Sequence, residues 1–202
     1  MNASQYFRPT YAAECYPSGM RHALAILIAV LGLGLAEARS DQTDPRLKDL
    51  FERLRTAPTP DAAAPVEAEI WGIWAKSGDS DLDQVFEVGS RAMSIGDTAT
   101  ALKVFDAIVH KAPNFAEGWN KRATVYYMMG DYEASLADID HVLELEPHHF
   151  GALAGLGLVN VELDRDEAAL DAFERVLKVT PQSQSAKYNI EIVKQRIKDK
   201  SI

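Results

Sequence analysis

The sequence predicts an all-α protein built as a row of stacked helical hairpins, an α-solenoid, and three observations carry that prediction. Pro113, Pro147 and Pro181 recur at intervals of 34 residues, one of the known periods of two-helix repeats. Lining up the segments at that offset brings like residues into columns: Gly89/Ala123/Gly157, Gly96/Gly130/Asp164, Ala101/Ser135/Ala169 and Phe105/Ile139/Phe173. Within a unit the apolar positions follow helical spacing, best seen in Trp119, Ala123 and Tyr126, then Gly130-Asp131-Tyr132 at a turn, then Leu136, Ile139 and Val142.

Composition narrows the class. The chain has 202 residues, 47% of them hydrophobic, and a formal charge of −9. That hydrophobic share suits a continuous core and argues against disorder. An acidic balance with no long basic run argues against nucleic acid as partner, since phosphate binding needs clustered Lys and Arg. Lys194, Arg196, Lys198 and Lys200 fall at the end of the last expected helix, where cations suit the dipole and a solvated tail.

Residues 1–38 read as an upstream extension and an export signal. Met20-Arg21-His22 precedes an apolar run from Ala23 to Leu35, and Ala36-Glu37-Ala38 supplies small residues for cleavage after Ala38. The run is short for a membrane span. Glu14, Pro9 and Pro17 are unusual ahead of such a run; initiation at Met20 explains them, and a long leader or an uncleaved anchor is the alternative. Cys15, the sole cysteine, would leave with the signal, so packing alone would hold the mature protein together. An exported protein is expected, periplasmic in the first instance and secreted as the alternative.

Residues 39–81 are expected to form a degenerate N-terminal helical hairpin that caps the stack. Asp44-Pro45 starts a helix carrying Leu47, Leu50, Phe51 and Leu54; Thr56 to Pro65 reads as a connector; Val66, Ile70, Ile73 and Trp74 make a second apolar face. Three units follow over 82–181 (82–115, 116–149 and 150–183, approximately), and 182–202 form a capping helix with Ala186, Ile190, Val193 and Ile197 on one side.

These residues resemble the tetratricopeptide repeat (TPR) family. Unit two carries Trp119, Ala123, Tyr126, Gly130, Tyr132 and Pro147, while units one and three keep Gly89, Gly96, Pro113, Gly157 and Pro181 but put Val85 and Leu153 where the Trp stands. The resemblance implies a right-handed solenoid and a non-enzymatic protein-interaction scaffold whose first helices line a concave groove. The groove positions it implies are Asp83, Phe86, Ser90, Met93 and Ser94; Glu117, Asn120, Thr124, Tyr127 and Met128; and Gly151, Ala154, Leu158, Val161 and Glu162. Of these, Phe86, Met93, Asn120, Thr124, Tyr127, Leu158 and Val161 are the expected contacts to a partner segment, with Asn120 bonding its backbone. Some relatives grip an acidic C-terminal tail through Lys, Asn and Arg; here Phe86, Ser90, Thr124, Gly151 and Gly155 hold those places, so that clamp is missing.

No catalytic, nucleotide or cysteine-based metal motif is present, and neither cofactor nor metal is expected. His148 and His149 read as polar residues of a turn, and Asp138, Asp140, Glu144 and Glu146 as a solvated face. An adaptor docking a partner protein in the cell envelope is the leading function. The alternative is an enzyme or a small-ligand binder with an unrecognised site.

Overall fold

The computed structural model describes residues 43–201; the export signal, Cys15 and the cleavage point after Ala38 lie outside them. Nine helices and no strand occur among the described residues: α1 (Arg46–Thr56), α2 (Pro60–Trp74), α3 (Ser80–Ser94), α4 (Thr98–Lys111), α5 (Ala116–Met129), α6 (Tyr132–Leu145), α7 (Phe150–Glu162), α8 (Asp166–Val179) and α9 (Gln184–Lys200).

Helices α3 to α8 form three antiparallel pairs whose turns follow from the repeated residues. Gly96 and Gly130 sit at φ +79° and +78°, and Asp164 takes the same left-handed conformation at +57°. Asp is among the few side chains that tolerate this region, so the odd member of the column keeps the turn. Directly after it, Asp97 and Asp131 cap α4 and α6 by accepting the N–H groups of Thr100 and Ala134. Unit three has Arg165 there, without a side-chain cap.

Small residues set the spacing inside each pair. A Cβ on Gly89 would lie 2.9 Å from both the Phe105 ring and Val104, and one on Gly157 would lie 2.4 Å from the Phe173 ring. In the middle pair Ala123 fills this place, and its carbonyl accepts the Ser135 hydroxyl at 2.8 Å. Phe105, Ile139 and Phe173, one per pair, are buried. Successive pairs stack through α4 on α5 and α6 on α7, and α9 covers α8. Ala186, Ile190 and Val193 of α9 are buried, the last two against Ala169 and Phe173. Its basic residues are not all left to solvent: Arg196 and Lys200 reach the Asp166 carboxylate at 2.9 and 2.6 Å.

The N-terminal hairpin departs from expectation twice. Its connector shrinks to residues 57–59, because Thr59 accepts the Ala62 N–H as an N-cap and Pro60 takes the first helical position, where its missing N–H is harmless. Pro65 lies within α2. The hairpin's packing is also different from a cap on the first pair. Leu50, Leu54, Val66, Ile70, Ile73 and Trp74 cluster with Phe150 and Leu153 of α7, Val176 and Val179 of α8, and Ala186 of α9. The Thr180 hydroxyl donates to Glu67 at 2.7 Å and the Gln182 amide to the Ala57 carbonyl at 3.0 Å. One column explains the destination: units one and two carry Asp83 and Glu117, whereas unit three carries Gly151. A Cβ at Gly151 would stand 2.5 Å from the Trp71 ring, so only the third unit admits that indole.

Candidate functional site

A concavity of about 510 Å³ opens between α5 and α7. Asn120, Thr124 and Tyr127 come from α5, Gly151, Ala154 and Leu158 from α7, and Ser135 and Ile139 of α6 also line it. The residues on α5 are three and four apart, which puts them on one helix face. Thus Asn120, Thr124, Tyr127 and Leu158 of the seven expected contacts line one site.

The other three do not. Phe86 is 4% exposed and packs edge-on against Phe105 and Phe115, with centroids 5.8 and 5.5 Å away, because a ring this large turns into the gap between its own pair and the next. Val161 packs against the cluster under α9, whose cover takes the last turn of α7 out of the groove. Met93 is half-buried on α3 and does not line the concavity.

Behind the groove lies a buried polar network. His149 is completely buried, which corrects its assignment to a solvated turn; Trp74 stacks on it at 4.0 Å and an interplanar angle of 11°. Its Nδ1 accepts the Ala152 N–H at 3.1 Å, so the ring proton sits on Nε2 and is donated to Glu117 Oε2 at 3.0 Å. Lys121 Nζ lies 3.0 Å from the other carboxylate oxygen, and Asn120 donates its amide N–H to Oε2 at 2.8 Å. Burial pushes the Glu117 carboxyl up, but the bonds from His149 and Lys121 outweigh it and hold the group below its ordinary value. That network fixes the Asn120 amide with its nitrogen toward the carboxylate.

At the far rim the Tyr127 and Tyr132 hydroxyls turn toward Glu162 at 3.5 and 3.3 Å, the long end of hydrogen bonding. Burial first, and the Glu162 charge second, raise both phenols. The carboxylates assigned to a solvated face divide: Asp138 is buried and takes a two-pronged bond from Arg122 at 2.8 Å, and buried Glu146 accepts the His148 N–H, while Asp140 and Glu144 are exposed. Arg122 also bonds Asp106 at 2.7 Å and lies over the Trp119 ring at 4.8 Å. Trp119 is half-buried and donates its indole N–H to the Pro113 carbonyl. Glu117 aside, the second tier was legible only in part: the lone Gly in the Asp83/Glu117/Gly151 column signals a close approach, but nothing near His149 in sequence announces its partner.

Paired helices in register, with a hollow lined by the first helix of each of two units, define a helical-repeat scaffold of the kind that serves as a protein-interaction module. The chain belongs to the tetratricopeptide repeat family, whose model matches residues 88–138 and 120–186. A TPR repeat-containing protein of Rhizobium etli is 32% identical over 165 residues, covering 81% of each chain. Among solved structures, the Sgt2 TPR domain from Aspergillus fumigatus superposes with a TM-score of 0.58 at 21% identity, over 61% of this chain and 83% of that one. The first TPR of Spaghetti (RPAP3), solved bound to the Hsp90 peptide SRMEEVD, gives 0.57 at 20% identity, over 59% and 95%.

Proposed function

We propose that the protein is a non-enzymatic adaptor of the cell envelope that holds a segment of a partner protein in the groove between α5 and α7. The observation that carries this is the concavity itself, with Asn120, Thr124, Tyr127 and Leu158 on facing helices around an apolar floor. The related RPAP3 domain holds a peptide, which supports peptide capture as the mode of action. It does not carry over the ligand, because Gly151, beneath Trp71, and Gly155 stand here where an acidic tail would need cations. The envelope location rests on the apolar run from Ala23 to Leu35 and the small residues that follow it.

Two measurements test the proposal. Protein spanning 39–202, incubated with envelope extract, retains a partner that Tyr127→Ala and Asn120→Ala each weaken by at least about tenfold, the loss of one good contact; retention unchanged in both variants removes the groove from the function. Fractionation of cells with N-terminal sequencing places the protein in the envelope beginning at Arg39; recovery in the cytoplasm with residues 1–38 attached overturns the location.

A further inference from the structure

We propose, resting on the groove assignment above, that the site between α5 and α7 selects a basic segment: an aliphatic side chain for the floor, a backbone N–H for Asn120, and a Lys or Arg for Glu162. Three observations lead there. The first is the hydrogen-bonding capacity the groove has left. Thr124 Oγ1 donates to the Asn120 carbonyl at 2.9 Å and Ser135 Oγ to the Ala123 carbonyl at 2.8 Å. A hydroxyl has one proton, so both are left as acceptors. The Asn120 amide gives an N–H to Glu117, and its Oδ1, with no partner among the described residues, is a further acceptor. A ligand that enters must therefore bring donors, since leaving buried acceptors unmatched costs about 1–3 kcal/mol each.

The second observation is charge. No Lys, Arg or His lines the concavity. The nearby ammonium, Lys121, is held on Glu117. Glu162 carries its charge at the rim between two phenol hydroxyls and has no cationic partner among the described residues. A carboxylate-rich peptide would meet acceptors and a like charge, whereas a Lys or Arg side chain would find its counter-ion. The third observation is the floor: Ile139, Ala154, Leu158 and Val159 offer apolar contact and nothing else, which suits one aliphatic side chain flanked by those polar interactions.

Fluorescence polarisation with three end-capped, labelled heptapeptides tests this: Lys-Ala-Leu-Leu-Ala-Lys-Ala, and its counterparts with Glu or Gln for both Lys. The basic peptide should bind about tenfold tighter than the acidic one, a preference that shrinks with added salt. N-methylation of the central Leu amides should weaken it by about fivefold or more, the loss of one hydrogen bond. In Glu162→Gln the charge preference should fall below about threefold with binding retained, while Glu174→Gln, an exposed carboxylate on α8, leaves it intact. Equal binding of the three peptides, preference for the acidic one, or equal loss in both Gln variants overturns the proposal. If Tyr127→Ala weakens all three peptides alike while no charge preference exists, the groove assignment stands without it. Absence of any binding dependent on Tyr127 overturns both.

Discussion

Phe173 leaves no room at Gly157. A methyl group there would press 2.4 Å from the ring, so Gly157→Ala should lower stability by about 1–3 kcal/mol through overpacking. Gly155 is the control two residues away: its Cβ would meet Ile139 at an ordinary 3.5 Å, and Gly155→Ala should be neutral or gain up to about 1 kcal/mol from helix propensity. Urea midpoints of the two variants separate these outcomes. The buried Glu117 makes a second prediction at this scale. Its folded-state carboxyl lies below the ordinary 4.5 because His149 and Lys121 outweigh burial. A group depressed in the folded state stabilises above its unfolded value and loses that contribution as pH falls through the folded one. Urea unfolding measured from pH 7 to pH 3 should thus show stability falling below about pH 4.5, with a shallower fall in Glu117→Gln. The columns of small residues were readable in the sequence because each repeats at a fixed offset. The Glu117–His149 pair was not: its members are 32 residues apart, and a histidine soon after Pro147 has the local signature of a turn, whatever later folds over it.

Between elements, one side chain ties three helices. Arg122 on α5 bonds Asp138 on α6 and Asp106 on α4, with little of its own surface in water. Arg122→Ala would leave the Asp138 charge buried and alone, so a loss of about 3–5 kcal/mol is expected. Asp106→Asn, on the half-exposed partner, should cost under about 1 kcal/mol. Chemical denaturation of both variants and of the double variant measures the difference. Helix pairing was legible here because apolar spacing and turn residues recur together. The ion pair was hidden because Asp138 sits among other carboxylates on α6, and only the packing of α6 against α5 decides which of them meets an arginine. The same limit explains Phe86 and Val161: position in a repeat tells which face a side chain starts from, not which neighbour it leans into.

At the scale of the whole molecule, the hairpin α1–α2 changes how the array holds together. Open repeat arrays keep their contacts between sequence neighbours, and their units can fray one at a time. Here Thr180 bonds Glu67 and Gln182 bonds Ala57, across separations of 113 and 125 residues. Closing so long a segment should slow folding and make the described units melt together. Trp71→Ala should cost about 3 kcal/mol and release this tie. Hydrogen exchange would show α1 and α2 losing protection first, with α5 and α6 retaining theirs; uniform loss across all helices would mean the indole only fills space.

That indole also counts. Trp71 finds its seat at Gly151 and would meet Asp83 or Glu117 at the matching places of the other two units. An extra unit inserted by duplication would carry the seat one step away from a hairpin whose reach is fixed. Families of this kind ordinarily grow or shrink by whole repeats; in this molecule the buckle fits only one hole, and the length of the row is set by a glycine.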